Sequence, residues 1–464
     1  MKRLLIAGTN SGVGKTTITV AIIAALKRRG HTVIPFKVGP DYIDPGFHSA
    51  AAGQSASNLD SWMLRPAQVR EILQRRVPSS AIAIIEGVMG LYDGRKNEGE
   101  SGSSAQLAKI TNTPVVLVAS GAKMARSAAA LVGGYLQFDP EVNFAGVIFN
   151  HVGSPSHYQI LTKAVKDYLN LPVLGWLPKD TKIVIPERHL GLLPTAEAEN
   201  LPDLFTNLAD LAETHFDLDS LLAAAAAAGE LPEVTETVFP AQHVPVRCRI
   251  AVAQDEAFHF YYQENLEYLQ ALGAELIPFS PLNDTQLPTD CHGAILGGGF
   301  PELYAKELSA NITLREQLKT AAAAGLPIYA ECGGYMYLAQ SLTTFEEQTY
   351  PMCGIFPGHS RMHQGRRALG YVEVRGTANN ALLLPQESCR GHEFRWSEME
   401  QAGTNYLYQT EKQQLTGERS YNCYGSYLHL HFLANPRLAQ RFITVCAQRR
   451  QQEANCSNRG KEAG

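Results

Sequence analysis

The sequence has no cysteines in an arrangement that would cross-link the chain or grip a zinc ion. Its eight thiols, at positions 248, 291, 332, 353, 389, 423, 446 and 456, form no C-x-x-C pair and no zinc-ligand spacing. A disulfide scaffold is thereby excluded, and scattered thiols in a long chain point to the reducing cytosol. No run of about 18 apolar residues is present, which excludes a membrane-spanning helix. The opening "MKRLLIAG" has a charged end and a short apolar run, but "TNSGVGKTT" follows before a signal-peptide core is reached. These first residues therefore read as a strand. An excess of basic charge is also missing: 40 Lys and Arg stand against 45 Asp and Glu, a formal net charge of -5. Nothing electrostatic favours a nucleic-acid partner. There is no solenoid-type repeat.

What remains is a globular composition, 45% hydrophobic and 18% charged, on a chain of 464 residues. That length calls for two or three domains. In the first half, "RLLIAG", "TVIPFKVG", "AIAIIEGV", "TPVVLVAS", "NFAGVIFN" and "PVLGWLP" read as buried strands. Helical stretches separate most of them, among them "KTTITVAIIAALKRRG", which stops at Gly30. Such alternation predicts an α/β fold with a parallel sheet covered by helices. The pattern fades near residue 215. Residues 216–246, alanine-rich and then rich in Pro, Glu and Thr, read as a short helix and linker. A second α/β series follows over 247–448, with "RIAVAQ", "AELIPFS", "GAILGGG", "PIYAEC" and "SYLHLHF" as strands. Residues 449–464 read as a polar, frayed tail.

"GTNSGVGKTT", residues 8–17, follows the first strand and opens a helix. Backbone N–H groups of such a loop, Gly12 and Gly14 included, face phosphate oxygens, and the helix dipole adds positive potential. Lys15 would neutralise the β- and γ-phosphates, and the Thr16 hydroxyl would reach Mg²⁺, with Thr17 beside it. Five residues separate Gly8 from Gly14, one more than the strict Walker pattern. The dinucleotide pattern G-x-G-x-x-G is absent from this loop. Two acidic loops stand at the C-terminal ends of predicted strands, where open α/β sheets bind ligands. "FKVGPDYIDPGFH" carries Asp41 and Asp44, and "AIAIIEGVMGLYDG" carries Glu86 and Asp93. Carboxylates facing a triphosphate need a bridging cation, so Asp41, Asp44 and Glu86 are candidates for Mg²⁺ binding or substrate positioning. Lys37 is a candidate phosphate contact or a surface lysine.

In the second half, "PIYAECGGYMYL" places Cys332 between a strand and a helix, the geometry of a nucleophile elbow. A helix start lowers a thiol pKa, and a thiolate nucleophile needs a histidine base. "SYLHLHF" supplies His429 and His431 on one strand face with Tyr427; a metal-binding H-x-H pair is the other reading. "ILGGGFPE" offers the Gly298 and Gly299 N–H groups as an oxyanion hole, with Gly333 as a further donor. Taken alone, Cys332 also fits a small core residue at a turn.

The ordered set "GTNSGVGKTT", "VGPDYIDPGFH", "EGVMGLYDG", "GGGFPE", "YAECGGYMYL", "GHEFRWSE" and "SYLHLHF" resembles the cobyrinate a,c-diamide synthase family, from residue 1 to about 435. Its members are glutamine-dependent amidoligases of corrinoid synthesis. The resemblance implies an N-terminal P-loop, dethiobiotin-synthetase-like ATP domain (1–215) and a C-terminal class I-like glutamine amidotransferase domain (247–448). It implies ATP and Mg²⁺ as cofactors, and glutamine and a tetrapyrrole polycarboxylate as substrates, without nucleic acid or membrane; a homodimer stays open. By matching position, Cys332 would be the glutaminase nucleophile and His429, in "YLH", its base. Asp41, Asp44, Glu86 and Asp93 would serve ATP, metal and carboxylate activation, Asp44 and Asp93 as catalytic groups and Thr16, Asp41 and Glu86 at the metal. The family's class I pattern has a glutamate two residues after the histidine, where this chain has His431, so the third triad member is not identified. Hydrogenobyrinate and nickel sirohydrochlorin are the nearest other substrates. A switch or partitioning ATPase with an inert amidotransferase-like domain is the reading from another class; its early loop lysine would fall where this chain has "TNS". The Arg- and His-rich blocks "HSRMHQGRRALGYVEVRG" and "RGHEFRW" fit either a polycarboxylate site or a solvated basic face.

Overall fold

Strands that are apolar on both faces fold stably only between two layers of helix, and the first half of the chain meets that condition. The computed structural model describes residues 1–95, 98–179, 187–188, 191–192 and 200–462. The chain forms two units, Met1–Thr237 and Val238–Gly464. In the first, strands and helices alternate: β1 (Lys2–Gly8), α1 (Lys15–Arg28), β2 (Val33–Val38), α2 (Asp44–Ala52), β3 (Ser57–Leu59), α3 (Pro66–Arg76), β4 (Ile82–Gly90), α4 (Ser104–Thr111), β5 (Val115–Ser120), α5 (Ser127–Phe138), β6 (Phe144–Val152), α6 (Pro155–Leu169) and β7 (Val173–Pro178). The seven strands make one sheet in the order β3-β2-β4-β1-β5-β6-β7, paired in parallel throughout. The short strands β8 (Glu187–Arg188) and β9 (Gly191–Leu192) pair with each other, and α7 (Leu201–His215) and α8 (Leu218–Ala226) complete the unit.

Residues Ile18 to Leu26 of α1 are all buried, because the helix lies against the sheet and is covered by α2 and α7. This explains its nearly continuous apolar sequence. Leu218, Leu221 and Ala225 of α8 join the same core, so the stretch read as helix and linker begins inside the first unit.

The second unit opens with β10 (Cys248–Ala253), α9 (Gln263–Ala271), β11 (Ala274–Phe279), β12 (Gly293–Leu296), α10 (Ala305–Ala310), α11 (Ile312–Ala323), β13 (Ile328–Glu331) and α12 (Gly333–Leu338). Ten strands follow: β14 (Ser341–Thr343), β15 (Thr349–Pro351), β16 (His359–Met362), β17 (Ala368–Gly376), β18 (Ser388–Arg395), β19 (Ser397–Glu400), β20 (Tyr406–Thr410), β21 (Leu415–Ser420), β22 (Cys423–Ser426) and β23 (His429–Leu430). The last element is α13 (Pro436–Glu462). The main sheet runs β11-β10-β12-β13-β22-β21-β20-β17-β18-β23. Its first five strands are parallel and the rest antiparallel.

Two expectations are corrected here. "SYLHLHF" is not one strand: the Ser426 hydroxyl accepts the Leu428 N–H at 3.2 Å, the chain turns at Tyr427, and His429 restarts as β23 on β18. The tail from Arg449 is not frayed but continues α13 to Glu462; Arg449 bonds Glu453 and the Ala324 carbonyl, and Arg450 bonds the Val246 carbonyl. Among the described residues no helix is long and apolar enough to cross a membrane.

Candidate functional site

In the first unit the strand register assembles the site. β4 lies between β1 and β2, which places Glu86 beside Ile6 on one side and Lys37 on the other. The Lys37 Nζ donates to Glu86 Oε1 at 2.7 Å and to Asp44 Oδ2 at 2.5 Å. Thr16, at the start of α1, donates its hydroxyl to Glu86 Oε1 at 2.8 Å and lies 3.4 Å from Asp44 Oδ2. His48, one turn after Asp44 on α2, meets Glu86 Oε2 through Nε2 at 2.6 Å. Lys37, Glu86 and His48 are buried, which excludes the surface-lysine alternative for Lys37.

Burial opposes the Lys37 charge, yet Asp44 and Glu86 outweigh it and hold the ammonium above its ordinary range. Burial likewise opposes ionisation of Glu86, but Lys37 and His48 bring it below the usual carboxylate range. Asp44 moves the other way: burial and then the Asp41 charge lift it well above the ordinary value, with Lys37 pulling against them. One ammonium thus fully compensates one of two carboxylates.

Around this cluster lies the phosphate loop. Gly14 has φ 94°, and a Cβ there would stand 2.1 Å from Asn150 Nδ2, which donates to the Val13 carbonyl at 2.9 Å. The Lys15 ammonium bonds the Met89 carbonyl at 2.6 Å, and burial followed by the Lys37 charge lowers its pKa. Gly12 is exposed and Thr17 half-buried beside Thr16. Asp41 Oδ1 accepts the Ile43 N–H at 2.8 Å and caps the turn into α2. Asp93 is exposed and its Oδ2 accepts the Gly90 N–H at 3.1 Å. The fold therefore gathers Thr16, Lys37, Asp44 and Glu86 and leaves Asp41 and Asp93 in bordering loops. The Thr16 hydroxyl and the carboxylates are hard oxygen donors of the kind Mg²⁺ takes. Among the described residues no group of three or more His, Cys, Asp or Glu forms a metal cage.

The second unit turns sharply after β13. Cys332 has φ 47° and ψ -106°, and its N–H is held by the Ser426 carbonyl of β22 at 2.7 Å. A non-glycine residue in this region stores about 1–3 kcal/mol of strain, which neighbouring bonds must hold in place. The thiol is buried, and burial, with Glu302 adding to it, pushes its pKa up to about 12; the Gly333 N–H and Arg395 act against this. The expected lowering by a helix start is overridden, since α12 has only 6 residues and desolvation is the larger effect.

The loop Gly297–Gly299 lies against this turn: the Gly334 N–H donates to the Gly297 carbonyl at 2.9 Å, and Gly299 N is 3.0 Å from a Cβ built on Gly333. A Cβ on Gly298 would stand 2.4 Å from His429 Cε1, so glycine is required where the imidazole packs. The Gly298 N–H, expected as an oxyanion donor, is engaged by the Phe260 carbonyl at 3.2 Å. Gly299 and Gly333 remain the candidate donors. His429 and His431, expected to share one strand face, have different surroundings. His429 packs on Gly298, whereas His431 stacks on Tyr262 at 4.9 Å and lies 4.0 Å from Glu264.

The basic blocks are largely compensated. Arg361 pairs with Glu347 and Glu400, Arg367 with Glu398, and Arg395 with Glu393. Sequence reading missed His48 and Asn150. The signal for His48 was present, because it follows Asp44 by four residues in a stretch that starts a helix. For Asn150 there was none, since only the crossover to β6 brings it to the loop.

Comparison with known proteins now defines the class. Residues 4–192 match the CobQ/CobB/MinD/ParA nucleotide binding domain, and residues 249–437 match the CobB/CobQ-like glutamine amidotransferase domain. The chain is thus an α/β enzyme that joins a P-loop nucleotide-binding unit to a glutamine amidotransferase unit. It is 45% identical over 452 residues to the cobyrinate a,c-diamide synthase of Dehalococcoides mccartyi, covering 96% of this chain and 98% of that one. The corresponding enzyme of Priestia megaterium is 42% identical (96% and 97% covered), and that of Listeria innocua 42% (94% and 98%). The chain belongs to the cobyrinate a,c-diamide synthase family, the amidoligases of cobalamin synthesis.

Proposed function

We propose that this protein uses ATP and glutamine to convert the a- and c-acetate carboxylates of cobyrinate to carboxamides, by way of a phosphorylated carboxylate. The names of relatives that match nearly the whole chain support the substrate. The observation that carries the chemistry is Cys332, held at φ 47° between a strand and a helix beside the Gly297–Gly299 loop on which His429 packs.

In the second unit, the Cys332 sulfur attacks the glutamine side-chain amide while His429 takes the thiol proton and returns it to the leaving nitrogen. Ammonia departs, a glutamyl thioester remains, and water hydrolyses it to glutamate. Gly299 and Gly333 N–H groups face the oxyanion. In the first unit, the γ-phosphoryl group of ATP passes to an acetate oxygen of the macrocycle. A carboxylate is a poor electrophile with a poor leaving group; the acyl phosphate offers phosphate instead. Ammonia adds to its carbonyl carbon, the C–O bond to phosphate breaks, and the amide forms with ADP and phosphate as by-products. The loop N–H groups from Gly12 to Thr17 and the Lys15 ammonium bind the phosphates. Asp44 and Asp93 position the acetate group. Thr16, Glu86 and Asp41 would hold Mg²⁺, which would neutralise the β- and γ-phosphate charge. The use of glutamine and ATP and the free thiols among the described residues support a cytosolic setting.

Replacing Cys332 by Ala tests this reading. Glutamine-driven amidation should fall by at least about 10³-fold while amidation driven by added ammonium salt persists. Glutamine-driven turnover at the wild-type rate would refute the thiol mechanism. Cobyrinate, hydrogenobyrinate and nickel sirohydrochlorin assayed side by side decide the macrocycle: a higher kcat/KM for either of the latter two would displace cobyrinate.

A further inference from the structure

A thiol–imidazole pair works well when a third group holds the far nitrogen of the ring and balances the charge that forms there. The position two residues after His429 does not supply one. It is His431, fully buried against Tyr262 and 4.0 Å from Glu264. A carboxylate reaches His429 from another direction. Glu331 is the last residue of β13 and immediately precedes Cys332. Its Oε2 lies 3.7 Å from His429 Nδ1. Its Oε1 is fixed twice, by the Tyr329 hydroxyl at 2.8 Å and by the Leu430 N–H at 3.0 Å. The second of these bonds ties the carboxylate to the backbone next to His429, so ring and carboxylate keep one register. On its other side the ring meets Gly298, whose missing Cβ would come within 2.4 Å of Cε1 and 3.3 Å of Nε2.

We propose that Glu331 is the positioning residue of the glutaminase centre: it orients His429 through Nδ1 and stabilises the imidazolium that forms when the ring takes the Cys332 proton. The inference rests on the Cys332–His429 reading given above. Consecutive residues then serve opposite ends of one proton path. The φ of 47° at Cys332 turns the chain into α12 directly after Glu331. Burial raises the Glu331 carboxyl to about 8, against the Tyr329 hydroxyl and the Leu430 N–H, and lowers His429 to about 3. Each charge alone is disfavoured there. When Glu331 is ionised, a proton arriving on the ring makes the carboxylate–imidazole contact an ion pair that favours both charges, and the 3.7 Å separation closes to a hydrogen bond.

The test uses the full-length protein with Glu331→Gln and Glu331→Asp, following glutamine hydrolysis, ammonia-driven amidation and the rate of Cys332 alkylation by iodoacetamide. Gln keeps the acceptor for Tyr329 and Leu430 and removes only the charge. The expected result for Glu331→Gln is a fall in kcat for glutamine of about 10²- to 10⁴-fold. KM for glutamine should stay within about twofold, ammonia-driven turnover should be unchanged, and alkylation of Cys332 should slow. Glu331→Asp, which restores the charge one methylene short, should regain at least about tenfold over the Gln variant. Equal impairment of the two variants, or full kcat in Glu331→Gln, overturns the proposal. If the Gln protein does not fold, unchanged kcat in Glu331→Asp or a rise in KM alone overturns it. Cys332→Ala separates the two levels: glutamine hydrolysis that survives it removes the underlying reading. Hydrolysis lost in Cys332→Ala but intact in Glu331→Gln removes only this proposal.

Discussion

At the scale of single residues, Lys37 is tightly constrained by charge. It is buried with two carboxylates on its ammonium, and nearby His48 and Thr16 bond the same Glu86 carboxylate. Removing one partner of a buried pair costs about 3–5 kcal/mol, because the charge left behind loses its compensation without regaining water. Lys37→Met should therefore destabilise the first unit by roughly that amount, and amidation should disappear with either nitrogen source. Trp62 and Trp176 both lie in this unit, so denaturant unfolding followed by their fluorescence in a Trp396→Phe background measures the loss. Adding Glu86→Gln to Lys37→Met removes the orphaned charge and should recover part of the stability. A double variant no more stable than the single one would show that charge pairing is not what Lys37 contributes.

At the scale of elements, α13 is anchored by one carboxylate. Glu387, just before β18, accepts bonds from Arg441 at 2.5 and 2.8 Å, from Arg437 at 3.1 Å and from the Leu384 N–H at 3.0 Å. The Arg441 bond foremost, against a smaller burial effect, lowers its pKa from 4.5 to about 2. A carboxylate with a depressed folded pKa stabilises the fold above its ordinary pKa and loses that stabilisation as pH falls towards the folded value. The stability gap between wild type and Glu387→Gln should thus be about 1 kcal/mol near pH 7, a figure discounted for the partly exposed arginines, and should close between about pH 4.5 and pH 2. Melting curves across that range check it; a gap that widens on acidification would refute the assignment. The same element scale separates what the sequence discloses from what it hides. Parallel strands buried on both faces are continuous apolar runs, so β1, β2, β4 to β7 and β10 to β13 were legible, and the resemblance to the amidoligase family was borne out. The antiparallel strands β17 to β21 are half-exposed and weakly patterned, and were not. "SYLHLHF" has the alternation of a strand, but a side-chain bond from Ser426 breaks it. Loop residues such as Lys15 and Cys332 stood out by motif. Lys37 was noted with its burial left open, and the positions of Glu331 and Asn150 follow from register and crossovers that no local pattern records.

At the scale of the whole molecule, the proposed function puts ammonia release and ammonia consumption in separate units of one chain. Their failures should therefore be asymmetric. Under the proposed function, loss of Cys332 should remove the ammonia source and be bypassed by ammonium salt, whereas loss of Lys15 should remove phosphate binding, which no nitrogen source can replace. The bypass has its own signature. Ammonium carries no lone pair, so only the neutral fraction attacks an acyl phosphate, and well below the ammonium pKa that fraction grows about tenfold for each pH unit. Between pH 7 and pH 8, the Cys332→Ala protein supplied with subsaturating ammonium should accelerate by about that factor. The wild-type protein supplied with glutamine generates neutral ammonia from an amide and should rise far less over the same interval. The decisive measurement is the ratio of the two slopes with ATP and macrocycle saturating. Equal slopes would mean that glutamine-derived nitrogen equilibrates with solvent as ammonium before it reacts. Retained turnover in Lys15→Met with ammonium salt would instead remove the phosphate loop from the amidation step.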